Sequence, residues 1–386
     1  MRRNYKYRLY PNRQQANDLS RVLEIHRQLY NAALEERRMA WSMSHKSISY
    51  VEQANQLKPL RQLDEDAAWL NYTSTQQTLR RLDKAFTAFF RRIWAGETPG
   101  YPRFKSENRW HSVEYRYSDG VKIVNDGNRQ LLRIQNIGSI KVKWHRTIPV
   151  DAEIRSVYLK REIGKWYVVF SLNLPEATTV APTGEAIGLD LGLESFATLS
   201  DGQKINNPRW FRKSQQKLTK AQRKLAHRKK GSQRRKKQAL LVAKIHRKIG
   251  NQRRDFHHKL AHKLATKHLL IAVENLGIGS MTQNHHLAKS ISDAGWGQFV
   301  LILQSKVEST GSQVVKVSPR YTSQICSGCG SMVKKPLVVR IHICPECGLI
   351  LDRDHNAALN ILSKARTGPT VNSLTAVEPS REAARP

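Results

Sequence analysis

AIGLDLGLESFATLSDGQKINNP, residues 186–208, reads as three short strands. The apolar run around Ile187 and Leu189 is the first, FATLS is the second, and the SDGQ turn leads into KINN. The pattern is an antiparallel meander whose first strand carries a carboxylate, Asp190. A strand that buries Ile, Val and Leu normally excludes acids, because an unpaired buried carboxylate is very costly. A lone acid of this kind usually pairs with an arginine or caps a turn.

Asp190 is not alone. HLLIAVENL, residues 268–276, predicts a buried strand that closes on Glu274. CGLILDRDHNAALNIL, residues 347–362, holds Asp352 and Asp354 in front of a predicted helix with Ala357, Ala358, Ile361 and Leu362 packing inward. Three acids on the elements of one α/β unit point to a shared divalent cation. Mg²⁺ takes hard oxygen ligands and keeps several waters. Two such ions about 3.5–4 Å apart can hold the attacking water and the leaving oxygen of a phosphodiester. Asp354, at the helix start, is given the metal role with Asp190 and Glu274. Asp352 ends the preceding strand as a structural or supporting acid, and period-2 reasoning leaves it open as a ligand.

Just upstream, CSGCGSMVKKPLVVRIHICPECG holds two CxxCG pairs, Cys326 with Cys329 and Cys344 with Cys347. Fourteen residues separate the pairs, slightly under the usual structural-zinc spacing. Free buried cysteines or a redox CxxC are the alternatives. Two such knuckles favour one tetrahedral Zn²⁺ in a closed site that folds a small module. The cations Lys334, Lys335 and Arg340 in this module could contact a strand.

The chain has 386 residues and a formal net charge of +35. Its length allows two to four domains, and 39% apolar residues suffice for real cores. Such an excess of Lys and Arg is the footprint of a polyanion partner, with nucleic acid favoured over a membrane surface. No long apolar run or signal peptide is evident, so a soluble cytoplasmic protein is expected.

NYKYRLYPN predicts a strand ended by Pro11. Helical spacing follows from about Gln14 to Ser44, again from Tyr50, and a third time from about Ser74 to Trp94. Six alternating segments between residues 110 and 175 predict a small barrel or sandwich that the first strand joins. PEATTVAPTGE is a linker by composition. GQFVLILQSKVEST predicts an amphipathic helix and SQVVKVSP a strand, and the tail after Ala365 is expected to be disordered.

The order GLDLG, VENL, TSQICSGCG, CPECG, DRDHNAALNI closely resembles the TnpB family, RNA-guided nucleases encoded by insertion sequences and related to type V CRISPR effectors. YKYRLYPNRQQ and GYPRFKS also look like that family. The resemblance implies a multidomain α+β fold. A wedge-type β-barrel (1–11 and 98–178) would be interrupted by a helical recognition domain (12–97). A RuvC-like RNase H domain (183–320 and 349–365) would carry an inserted zinc ribbon (321–348), followed by a tail (366–386). It also implies Asp190, Glu274 and Asp354 as catalytic acids and the four cysteines as zinc ligands. The implied partners are a guide RNA from the transposon end and double-stranded DNA beside a short adjacent motif, engaged by a monomer that is nucleoid-associated when on DNA.

Between Lys204 and Lys263 lie 22 Lys and Arg residues and one acid, Asp255. A solvated hairpin would suffice, but this density favours a nucleic-acid backbone. Leu218, Leu225, Leu241, Ile245 and Ile249 should pack one side. Lys229, Lys230, Arg234 and Arg235 flank a break at Gly231 and Ser232 and are expected to be loop contacts to RNA phosphates. Family position makes Gln76, Gln77 and Arg80 candidate readers of the adjacent motif, while the helix start at Thr73 and Ser74 either suits a phosphate or is ordinary capping by one of those two residues. Tyr101, Arg103 and Lys105 are candidate nucleic-acid contacts, and Phe104 either stacks on a base or packs on the barrel. Two rival functions stand beside the nuclease: a strand-transferring transposase and a non-catalytic RNA-guided regulator. Transposases of that type generally order their acids Asp, Asp, Glu, whereas this chain has Asp, Glu, Asp.

Overall fold

The computed structural model of the protein describes residues 2–175, 182, 184–336 and 338–367. It divides into two compact units, Met1–Glu176 and Ala177–Pro386. Most of the expected linker, and the tail beyond residue 367, lie outside the described residues.

The first unit is built on a closed seven-stranded barrel. Strand β1 (Arg2–Tyr10) is followed by β2 (Ser112–Tyr117), β3 (Gly120–Asp126), β4 (Arg129–Ile134), β5 (Gly138–Lys143), β6 (Glu153–Glu162) and β7 (Lys165–Asn173). The order around the barrel is β1-β5-β4-β3-β2-β6-β7, so the N-terminal strand closes the ring between β5 and β7. Alternation explains the inward face: Trp166, Val168, Phe170 and Leu172 of β7 are buried at every second position. Each fully buried side chain of this size contributes roughly 1.5–3 kcal/mol.

Between β1 and β2 the chain makes four helices, α1 (Arg13–Ser44), α2 (Tyr50–Leu63), α3 (Glu65–Trp69) and α4 (Tyr72–Trp94). The second helical stretch breaks at Asp64, whose side chain accepts from the N–H groups of Asp66 and Ala67 and so starts α3. The third begins two residues earlier than its apolar spacing suggests. Asn71, not Thr73 or Ser74, caps α4 by accepting the Ser74 N–H, while Thr73 bonds Asp119 instead. Between α1 and α4, His26 is fully buried against Thr78 Oγ1 at 2.8 Å and Ser74 Oγ at 3.2 Å, and burial pulls its pKa down to about 3.

The second unit is organised by a five-stranded sheet. Its strands are β8 (Ile187–Asp190), β9 (Ser195–Leu199), β10 (Lys204–Asn206), β11 (Leu270–Glu274) and β12 (Gln313–Val317), in the order β10-β9-β8-β11-β12. The meander β8-β9-β10 is antiparallel, and β8, β11 and β12 run parallel. Between β10 and β11 lie α5 (Trp210–Ala226) and α6 (Gln233–Lys267). Next come α7 (Ile278–Met281), α8 (His285–Ala294) and α9 (Trp296–Val307), of which the sequence reading foresaw only α9. Leu260 and Leu264 of α6 and Phe299 and Leu303 of α9 share one buried cluster with the strands. The last helix, α10 (Arg353–Thr367), packs Ile361 and Ala365 against Ala272, Val315 and Val317. Gly188 permits its approach, because a Cβ there would stand 2.1 Å from the Ala358 carbonyl oxygen. Helix α10 runs two residues past the point where the tail was expected to start.

In the basic hairpin, Leu218, Ile245 and Ile249 are buried, but Leu241 is exposed and Leu225 only partly covered. The expected loop is shorter than its charges suggest. Ser232 caps α6 and places Arg234 and Arg235 in its first turn, leaving Lys229 and Lys230 in the connection.

Candidate functional site

Parallel pairing of β8 with β11 sets Leu189 opposite Val273, so Asp190 and Glu274 end neighbouring strands. Asp354 enters from the first turn of α10, which crosses β8 at Gly188. Burial is the largest influence on Asp190, followed by the charges of Glu274 and then Asp354; together they raise its pKa to about 8. Glu274 is also raised by burial, against the opposing pull of Thr322 and Lys364. Asp354 is raised by burial and by the charge of Asp352, with Arg340, Lys204 and Arg353 opposing. Burial weakens all three acids, and at Asp190 the charges of the other two add to it, so they form a set whose charge a divalent cation relieves. They are spread more widely than the cysteines: among the described residues, only the four sulfurs form a group with all ligand atoms within 4.8 Å of one another.

Asp352 has a different occupation. Its Oδ1 accepts the N–H groups of Asp354 at 3.0 Å and His355 at 3.2 Å, which caps α10. Its Oδ2 takes Lys204 Nζ at 2.7 Å. Burial would raise its pKa, but the lysine and the two N–H groups outweigh burial and leave it lowered. The two aspartates are thus distinguished by their partners, which lie at both ends of the second unit's sequence.

The cysteines form two matched knuckles. Gly330 and Gly348, at φ +81° and +71°, donate their N–H groups back to the carbonyls of Cys326 and Cys344 at 2.9 and 3.0 Å. That left-handed backbone is why each pair ends in glycine. Cys326 and Cys347 sulfurs are 3.6 Å apart, and those of Cys329 and Cys344 are 3.5 Å apart. Sulfurs on a tetrahedral zinc at about 2.3 Å would sit roughly 3.8 Å from each other, so the set fits Zn²⁺ closely. The second knuckle sits in the hairpin of β13 (Ile341–Ile343) and β14 (Ile350–Asp352), which delivers the chain straight to Asp352 and α10.

Helix α10 ties the knuckles to the acids. Asn356 Oδ1 accepts the Ser327 N–H at 2.9 Å, and its Nδ2 donates to the Ile325 carbonyl at 2.8 Å. Asn360 Nδ2 donates to the carbonyls of Ile325 and Thr322 at 2.7 and 2.8 Å. Thr322, itself buried, donates its hydroxyl to Glu274 Oε1 at 2.5 Å. Sequence reasoning missed Thr322; nothing about TSQIC signals that its threonine meets a strand end 48 residues earlier. It also left Arg340 as a possible strand contact. Arg340 lies 3.4 Å from Glu194 and 4.0 Å from Asp354 and keeps an exposed side chain.

The remaining candidates divide. Lys229, Lys230 and Arg234 are exposed, whereas Arg235 is half-buried and donates to the carbonyls of Leu225 and Arg228 at 2.7 and 3.0 Å. Arg235 therefore closes the end of α5 and is not a free loop charge. In the first unit, Gln76 and Gln77 are half-buried on α4, and Arg80 is exposed with its guanidinium 4.8 Å from the Tyr50 ring centroid. Tyr101 leans edge-on against Phe86 and Phe89, and Arg103 is exposed. Lys105 is anchored through its backbone to Asn31 and lies over the Tyr30 ring. Phe104 is exposed, with the Arg38 guanidinium of α1 5.3 Å from its ring centroid.

Three family models match the chain: one described as a probable transposase over residues 169–285, a Cas12f1-like TNB domain over 296–361, and a helix-turn-helix domain over 1–46. The last of these spans β1 and one continuous helix in this chain, with no turn inside α1. A Streptomyces pristinaespiralis protein provisionally named an RNA-guided DNA endonuclease is 36% identical over all of this chain and 94% of its own length. Escherichia coli K12 InsQ, named in the same way, is 30% identical over 93% of this chain and 91% of its own. A cryo-EM structure of a Cas12f1–sgRNA–target DNA complex aligns with a TM-score of 0.61 at 15% identity, covering 93% of this chain and 84% of that one, which is a likeness of fold. No helix among the described residues is long and apolar enough to cross a membrane.

Proposed function

The chain belongs to the TnpB family, and we propose on that premise that it is a transposon's RNA-guided endonuclease acting on double-stranded DNA. One observation carries the reading: Asp190, Glu274 and Asp354 meet at the ends of two parallel strands and one helix, each with its acidity weakened by burial. In this reading the second unit is a RuvC-like nuclease with an inserted zinc ribbon. The first is a wedge-type barrel interrupted by a recognition bundle. The guide RNA comes from the transposon end, and the protein itself reads only a short motif beside the target. The complex works as a monomer in the cytoplasm.

Asp190, Glu274 and Asp354 would hold the Mg²⁺ ions, and Cys326, Cys329, Cys344 and Cys347 one Zn²⁺. When bound, a pair of Mg²⁺ ions supplies an activated water and charge stabilisation on the leaving oxygen. The chain's own contribution is orientation. Thr322 fixes the Glu274 carboxylate, Asp352 starts the helix that presents Asp354, and Lys204 keeps Asp352 from competing for metal. Lys229, Lys230 and Arg234 offer phosphate contacts that confer affinity without sequence. Gln76, Gln77, Arg80, Tyr101, Arg103 and Lys105 are the proposed contacts of the first unit.

The description of one family model as a transposase keeps strand transfer as a second reading. Protein purified with its RNA should linearise a supercoiled plasmid bearing the matching target and motif. Joined products would favour the transposase, and retention without cutting would favour a regulator.

A further inference from the structure

A cavity of about 480 Å³ opens between the turn that follows Asp190 at the end of β8, the start of α5 and helix α8. Its volume lies in the range of pockets that hold nucleotide-sized ligands. Arg209, Arg212, His286 and Lys289 line it, with the half-buried Phe211 ring among them. Two carboxylates also reach it, and both are engaged. Asp293, buried, accepts the N–H groups of Phe211 at 2.8 Å and Arg212 at 3.3 Å, and takes Arg253 Nη2 at 3.3 Å. Glu194 is paired with Arg340. Arg209, Arg212 and Lys289 have no carboxylate partner among the described residues. Arg209 reaches only the Leu193 carbonyl at 3.4 Å, and Lys289 lies 5.6 Å from the Phe211 ring centroid. The cavity is therefore a cationic pocket with an aromatic wall, a combination that suits the phosphate and base of an unpaired nucleotide.

We propose that this cavity holds a nucleotide of the DNA strand being cut, a step or more from the phosphodiester that meets Asp190, Glu274 and Asp354. The assignment rests on the nuclease reading above. Location selects the cut strand over the guide RNA. Leu193 and Glu194, which line the cavity, follow Asp190 by three and four residues, and Glu194's partner Arg340 reaches Asp354. Exposed Lys213 and Lys217 continue the positive face along α5, so a strand can run on past the pocket.

The test is single-turnover cleavage by the complete ribonucleoprotein, on a target whose non-paired strand is already open. The Arg212→Ala, Lys289→Ala double variant should cut about tenfold more slowly or worse, since it lacks two charge-assisted contacts. Guide-RNA affinity should stay unchanged, and Arg212→Lys should keep most of the rate. In a second arm, uncharged methylphosphonates replace single phosphates near the cut. One position should slow the wild type by a similar factor and leave the double variant unaffected. Equal rates for wild type and double variant would overturn the proposal, as would the absence of any position coupled to the two residues. Weakened guide-RNA binding with normal cleavage at saturation would assign the cavity to RNA and likewise overturn it. A wild type that cuts nothing would sink the nuclease reading itself, whereas a cutting wild type with an equally active double variant would sink only the cavity.

Discussion

The second unit holds two clusters of candidate metal ligands that are built in opposite ways. The four thiols come from two short loops with the same local geometry, each closed by a glycine that turns back on its first cysteine. They are gathered tightly, within 4.8 Å of one another. The three carboxylates come from two strands and a helix spread over 165 positions of sequence, and they are looser, with burial weakening each acid and the charges of the other two adding to it at Asp190. Tight, closed coordination suits a folding element, since zinc binding energy is folding energy. Looser oxygen ligands suit ions that must also leave room for water and substrate. The two clusters are nevertheless linked, because Asn356 and Asn360 of α10 hold the first knuckle while Thr322 leads from it to Glu274.

The largest expected effect separates chemistry from folding. Asp190→Asn, Glu274→Gln or Asp354→Asn should each lower cleavage by roughly a thousandfold or more, as several kcal/mol of charge stabilisation disappear. Guided target binding and thermal melting should barely move; a variant that cuts normally would remove its residue from the site. Next comes Cys344→Ser, at a buried thiol. Metal analysis should show zinc falling from about one per chain to nearly none. Melting should broaden or shift down and cleavage should drop as well, because the Thr322 loop loses its anchor. Full activity without zinc would show the two clusters to be independent.

Thr322→Val probes the link itself. It keeps the side chain's shape and removes one hydrogen bond to a carboxylate, so kcat should fall roughly ten- to a hundredfold. Zinc content should be unchanged, and a normal rate would mean that Glu274 is positioned by something else. The smallest effect belongs to Asp352→Ala. Loss of a helix cap should cost about 1 kcal/mol of stability, with cleavage still measurable. If Asp352→Ala were inactive while Asp354→Asn cut DNA, the roles of the two aspartates would be reversed.

Much of this molecule is written in local pattern. The six alternating segments of the barrel, the meander around Asp190 and the CxxCG knuckles each depend on neighbours within a few residues. Alternation, turn composition and glycine backbone freedom act at that range. Asp190 and Glu274 stand out for the same reason, as charges at the ends of apolar strands. Local pattern misled where a side chain was claimed by a distant partner. Thr73 looks like a cap but bonds Asp119, so Asn71 caps instead. Arg235 looks like a loop charge but closes α5.

The choice between Asp352 and Asp354 belongs to that second kind. Both are acids at a strand–helix junction, and alternation cannot separate neighbours two apart. Packing gives them different partners, because Lys204 from β10 takes Asp352, and of the two it is Asp354 that acts more strongly on Asp190. Thr322 against Glu274, Arg340 beside Asp354 and the cationic cavity around Phe211 arise in the same way. Residue types and short spacings are enough to specify ligands that share a loop. Ligands contributed by separate elements acquire their partners only when the sheet and helices pack, since which distant residues meet is a property of that packing and of no single stretch of chain.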